Sequence, residues 1–182
     1  MFLSVFGVTF FVLRDIIDMK DKMVTFHELY KHYANDVYRF AYWLSGDKDD
    51  AQDITSETFV RVWTANKEVR ADTVKAYLLT IARNLFLKNL QRKERFLTIE
   101  EEIADERNRP DKKTETDHYI SQVLKALKKL PEIERTVLIM MAEKDMSYWD
   151  ISQATGLSVS AIKVKIFRSR IKVNKILQEG EI

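Results

Sequence analysis

Between residues 158 and 175 the chain carries Lys163, Lys165, Arg168, Arg170, Lys172 and Lys175 and no acid. Cations gathered on one segment neutralise phosphate oxygens and draw in a polyanion. The apolar residues between them, Val159, Ile162, Ile166 and Val173, recur at helical spacing, which predicts a helix basic everywhere except along its buried stripe. Just upstream, Ser147 and Asp150 have the spacing of a capping box, Ile151 and Ala154 give a short helix its apolar face, and Gly156 supplies the left-handed residue that ends it. Ser158 then opens the basic helix. A helix, a glycine turn and a second, basic helix form a helix-turn-helix, built to lie against phosphates and present its first residues to base edges. A solvated basic helix of an ordinary bundle is the rival reading, and it leaves the coincidence of cap, turn and charge unexplained.

A second basic segment runs from Ala82 to Arg95, where Arg83, Lys88, Arg92, Lys93 and Arg95 face a lone Glu94, and an acidic stretch, Glu100 to Glu106, separates the two. The formal charge of +2 averages over this alternation. Two basic helices with an acidic connector suggest two contacts with one polyanion. Asp50, Asp53 and Glu57, three and four apart, are expected to line one exposed stripe of a helix. With no cysteine, disulfides and cysteine-ligated zinc are excluded. His27 and His32 are five apart rather than three or four, and His118 is remote, so no metal site is expected. No paired carboxylates, activated nucleophile or phosphate loop appears, so no catalytic residue and no cofactor is expected, and the chain is read as a binding protein rather than an enzyme.

The elements that must position these residues are almost all helical. Among 182 residues there are four glycines and two prolines, and no run alternates like a strand. Thr25 and Glu28 suggest a capping box for a first helix with Phe26, Leu29, Tyr30, Tyr33, Val37, Phe40, Ala41 and Leu44 inward, ended by Gly46. A second helix, from about Asp49 to Trp63, turns Ala51, Ile54, Thr58, Phe59 and Val62 inward. After a polar loop, Asn66 to Thr73, a long helix runs from about Val74 to Arg95 with Tyr77, Leu78, Ile81, Ala82, Leu85, Phe86 and Asn89 inside. Periodicity then lapses from Thr98 to Asp117, the composition of a linker. It resumes with Tyr119, Ile120, Val123, Leu124, Leu127 and Leu130, stops at Pro131, which suits a first helical position, and continues through Met141. The expected architecture is all-α: two helical domains, 25–96 and 118–178, joined by a flexible acidic linker over 97–117, the second domain of four helices including the helix-turn-helix.

Residues 1–24 form an extension whose first thirteen residues are almost wholly apolar. The run is shorter than the roughly 20 residues that cross a bilayer, and it lacks the marks of a secretory signal. An extra packing helix, a peripheral membrane contact, or a translation start at Met19 or Met23 are the readings, the last preferred because everything that resembles a folded domain begins at Thr25.

From Phe26 to Leu177 the chain resembles the extracytoplasmic-function sigma factors of bacterial RNA polymerase. Asp50-Ala-Gln-Asp-Ile-Thr-Ser-Glu-Thr-Phe-Val-Arg-Val-Trp63 is similar to the family's polymerase-binding helix, usually close to DAEDLVQETFLRVW. Tyr77 to Asn84 resembles the stretch that engages the minus-ten element, and Leu130-Pro131-Glu132 with the tail motif completes the pattern in order. The resemblance implies that Asp50, Asp53 and Glu57 meet the clamp coiled coil of core RNA polymerase. It implies a flipped-base pocket in the loop, with Asn66, Arg70 and Asp72, and a path for the opened strand along Arg83, Asn84, Lys88 and Arg92. It places Ser158, Ser160, Ala161, Lys163 and Val164 at minus-thirty-five base edges, and Lys165, Arg168 and Arg170 on phosphates of promoter DNA. Core polymerase, at clamp and flap, and a membrane-bound anti-sigma factor are the implied partners of a cytoplasmic protein that is monomeric when free and has no small-molecule substrate. Gln52 and Ser56 depart from the usual Glu and Gln, and Val164 and Lys165 from the usual Ser and Arg, so the minus-thirty-five preference does not carry across. A conventional helix-turn-helix regulator predicts dimers and palindromic sites, and a sigma-like decoy predicts polymerase binding without promoter binding.

Overall fold

The computed structural model describes residues 16–19, 22–65, 74–97, 115–143 and 146–179. The described helices are α1 (Phe26–Ser45), α2 (Lys48–Ala65), α3 (Val74–Leu97), α4 (Glu115–Lys128), α5 (Glu132–Ala142), α6 (Tyr148–Thr155) and α7 (Val159–Glu179). One departure from the expected helices precedes them. β1 (Ile16–Met19) and β2 (Lys22–Thr25) pair antiparallel, Ile16 opposite Thr25 and Met19 opposite Lys22. Regular structure therefore begins ahead of Thr25, and Thr25 itself ends β2. Strands of four residues show too few alternations for a period of two to register in sequence. The apolar run before Arg14, the loop 66–73 and the connector 98–114 lie outside the described residues.

α1, α2 and α3 pack on one another. Leu29, Val37, Phe40, Ala41 and Leu44 share one stripe of α1 and are buried against Ala51, Ile54, Thr58 and Phe59 of α2 and Leu78, Leu79 and Ala82 of α3. Each large side chain so buried contributes about 2 kcal/mol. The expected inward set of α1 holds except at its start, where Tyr30 stays exposed. The buried hydroxyls of Thr55 and Thr58 donate to the carbonyls of Ala51 and Ile54 at 2.7 and 2.6 Å, which removes the cost of an unpaired polar group in the core. Gly46, at φ 72°, lets its N–H reach the Tyr42 carbonyl at 2.7 Å and ends α1 as expected.

α4 to α7 form a second group, with α7 packed on α4, α5 and α6. Leu127, Leu130, Val137, Met140, Ile151, Ile162 and Ile166 are among its buried residues. α4 starts at Glu115, ahead of the expected 118. Pro131 is the N-cap of α5 rather than its first helical residue: its backbone is extended, and its carbonyl accepts the Arg135 N–H at 3.0 Å. The two groups share one apolar cluster, with α1 against α4 and α5 and α3 against α6.

Candidate functional site

The helix-turn-helix has the local chemistry that its sequence spells. The Asp150 N–H donates to Ser147 Oγ at 3.1 Å and the Ser147 N–H to Asp150 Oδ2 at 2.8 Å, a closed capping box at the start of α6. Gly156, at φ 73° and ψ 8°, ends α6 through an N–H to the Ser152 carbonyl at 2.8 Å. A Cβ there would meet no atom within 4 Å, so the requirement is purely conformational. Gly156→Ala is expected to cost about 1 kcal/mol of stability, read as a lower denaturant midpoint with unchanged slope.

α7 then leaves the turn with Ser158 outside its first turn, the Ala161 N–H donating to Ser158 Oγ at 3.3 Å. Ser158 is therefore partly spent on capping. Ser160, Lys163 and Val164 are exposed and Ala161 half-buried at the open end, while Arg168 and Arg170 are exposed and Lys165 is half-buried. The Lys163 ammonium lies 5.3 Å from the centre of the Tyr148 ring. Lys172 is tied to Glu134 at 2.8 Å and so holds α7 on α5. The inner stripe is Ile162, Ile166, Ser169 and Val173, with Val159 nearer the surface. The expectation of a helix basic everywhere outside its stripe needs correction. Val164, Phe167 and Ile171 form an exposed apolar row among the cations, Phe167 at 66%. Their spacing of three and four was the available signal. If Arg168 holds a phosphate, Arg168→Ala takes about one unit from the slope of log affinity against log salt, measured on duplex DNA.

On α3 the structure separates residues that the sequence grouped. Asn84, Lys88 and Arg92, four apart, are exposed along one side. Arg83 turns instead toward α5, where Nε and Nη2 donate to the two Glu132 carboxylate oxygens at 3.0 Å each. The Thr136 hydroxyl donates to the same carboxylate at 2.7 Å. Asn66, Arg70 and Asp72 lie outside the described residues.

The acids of α2 are likewise unequal. Asp53 and Glu57 are exposed, and Glu57 accepts from Arg61 at 2.9 Å. Asp50 is half-buried and accepts from Lys93 of α3 at 2.6 Å. The expected exposed stripe is therefore two exposed acids, one of them paired within α2, beside a half-buried third tied to α3.

Arg135 and Glu143 carried no sequence signal. The Arg135 guanidinium is buried 5.3 Å from the centre of the Phe86 ring of α3, and burial pushes its pKa down against the opposing pull of Glu132. Glu143, with 6% of its side chain exposed, accepts from Arg39 at 2.6 Å and lies 3.5 Å from the Lys75 ammonium. That hydrogen bond pushes Arg39 further up despite burial. Asp36 completes the cluster, 2.9 Å from Arg39 and 2.8 Å from Lys75. Three ionic contacts thus cross from α1 and α3 to the second helical group.

Two family models match this chain: Sigma-70 region 2 over residues 29–96 and Sigma-70, region 4 over residues 120–173. The chain is 32% identical over 143 residues to the ECF RNA polymerase sigma factor EcfG of Rhodopseudomonas palustris, covering 76% of this chain and 77% of that protein. It is 29% identical over 161 residues to the ECF RNA polymerase sigma factor SigE of Mycolicibacterium smegmatis, covering 85% of this chain and 62% of that protein. Its fold is similar to that of RpoE of Bartonella quintana, solved in complex with the anti-sigma factor NepR, at a TM-score of 0.71 and 24% identity over 84% of this chain and 96% of that one. The chain belongs to the extracytoplasmic-function sigma factors, the promoter-specificity factors of bacterial RNA polymerase. Sigma factors are not enzymes; they act on transcription initiation through RNA polymerase and promoter DNA. No described helix is long and apolar enough to cross a membrane.

Proposed function

We propose that this sigma factor divides its work between two domains, 25–96 and 118–178, joined through 97–117, and that it works entirely by binding in the cytoplasm. Asp53 and Glu57 meet basic residues of the polymerase clamp, with Asp50 available once Lys93 lets go. The loop with Asn66, Arg70 and Asp72 takes a flipped base of the opened strand, and Asn84, Lys88 and Arg92 follow that strand, joined by Arg83 when Glu132 releases it. α7 enters the minus-thirty-five major groove, with Ser160, Lys163 and Val164 toward base edges and Arg168 and Arg170 on phosphates. The connector runs toward the RNA exit region, its acids standing in for nucleic acid.

The observation that supports this reading most is α7: acid-free from 158 to 175, set by a left-handed glycine behind a helix that a closed capping box opens, on a chain whose α2 carries exposed acids. An anti-sigma factor is the inferred control, in line with the partner named for RpoE, and its attachment to a membrane rests on the family resemblance alone. Run-off transcription tests the reading directly. Core polymerase with this protein on pooled promoter fragments is expected to start at sites sharing one two-part motif. Binding to core without new starts would assign it as a decoy, and duplex binding without core binding would assign it as a conventional regulator.

A further inference from the structure

A groove of about 630 Å³ lies between the first turns of α1 and the last turns of α2, away from α7 and the exposed row of α3. Phe26 and Tyr30 form one wall and Ser56, Phe59, Val60 and Trp63 the other. Its base is closed by aromatic contacts, Phe26 to Trp63 at 4.6 Å and Tyr30 to Phe59 at 4.8 Å between ring centres. Its rim stays open, with Tyr30 47% and Val60 54% exposed. An open groove walled by aromatic and aliphatic side chains offers seats for the apolar side chains of another segment.

The chain supplies such a segment just ahead of β1. Met1 to Leu13 contains no charged residue, and Phe2, Phe6 and Phe10 recur every four residues, the spacing of anchors in helix-in-groove recognition. The hairpin register sets Ile16 opposite Thr25. β1 therefore begins beside the start of α1, whose first residue, Phe26, is also a wall of the groove. Only Arg14 and Asp15 separate Leu13 from β1, so the closure cost is small and the effective concentration high. Ser56 also stands where the family pattern has the longer Gln, which leaves room between α1 and α2.

We propose that Met1 to Leu13 docks in this groove and competes with RNA polymerase for α2. Ser56 lies three positions from Asp53 and Val60 three from Glu57, so a segment seated on the first pair stands against the second. The docking stands on its own, whereas the competition rests on the polymerase-binding reading of Asp53 and Glu57. Because the full chain lacks cysteine, Val60→Cys combined in turn with Phe2→Cys, Phe6→Cys or Phe10→Cys reports contact without background. Mild oxidation is expected to give a disulfide within the monomer for at least one pair. No cross-link at all, cross-linked dimers alone, or flotation with phosphatidylcholine vesicles in place of a monomer cross-link would each overturn the docking. Phe6→Asp with Phe10→Asp, checked for unchanged far-UV circular dichroism, is expected to raise affinity for core polymerase about tenfold by removing the docked fraction. A monomer cross-link with unchanged core affinity overturns the competition alone. Failure of the polymerase-binding reading shows separately, as undiminished core binding by a protein carrying Asp53→Lys and Glu57→Lys.

Discussion

A protein carrying Asp53→Lys and Glu57→Lys is expected to bind core RNA polymerase about a hundredfold more weakly than the unaltered chain, with thermal unfolding unchanged. Both side chains are exposed on α2, whose inner face is fixed by Ala51, Ile54, Thr58 and Phe59. Glu57 gives up only an exposed pair with Arg61, worth a few tenths of a kcal/mol. Folding therefore has little at stake. Against a basic partner, each reversal replaces attraction with repulsion, and about 1.4 kcal/mol apiece makes two powers of ten. The loss should shrink as salt rises, because rim charges act chiefly on encounter. Gln52→Ala, at a position also exposed on α2, is the control. Core affinity within about threefold of the original at low salt would remove α2 from the polymerase interface.

Much of this arrangement is written locally in the chain and was readable there. The capping box at Ser147 and the left-handed Gly156 are short-range devices, satisfied by atoms within a few residues, so sequence spacing suffices to find them. The buried stripes of α1 and α2 follow from a period that every turn repeats. What escaped depends on which helix lies opposite. Nothing near Arg83 in sequence distinguishes a cation bound for a strand of DNA from one held by Glu132, because the choice is made 49 positions away. The same holds for Asp50 and Lys93, and for Arg135 over Phe86. The exposed Val164, Phe167 and Ile171 were legible as spacing, yet a helix with two apolar rows becomes interpretable only once the neighbours of one row are known. Ser169 shows the reverse case: a small polar residue fills the buried stripe of α7 where the next turn of a pure apolar pattern would be sought.

Glu132→Ala combined with Glu143→Ala is expected to loosen the contact between the two helical groups and to strengthen binding of single-stranded promoter DNA about tenfold. In the closed arrangement Arg83 spends two donors on Glu132, and a DNA phosphate must displace that carboxylate before Arg83 can serve it. If only a fraction of molecules is open, apparent affinity falls by that fraction, and removing the contact restores it. The cost falls on stability. Glu143 is almost wholly buried beside Arg39 and Lys75, and its loss leaves the two cations with Asp36 as their remaining shared acceptor. Arg39 retains Asp36 and is partly solvated, so the cost at that cluster is about 2 kcal/mol rather than the larger value of a fully buried pair. The shared apolar cluster resists separation, which is why both acids are removed together. X-ray scattering should show a larger radius of gyration for the double variant. The exchanged pair Arg83→Glu with Glu132→Arg should keep the compact radius and show no gain in DNA affinity, since it rebuilds the ion pair but puts an acid on α3. A double variant that is less stable yet equally compact, with unchanged DNA binding, would make these acids a brace for the fold and not a gate on Arg83.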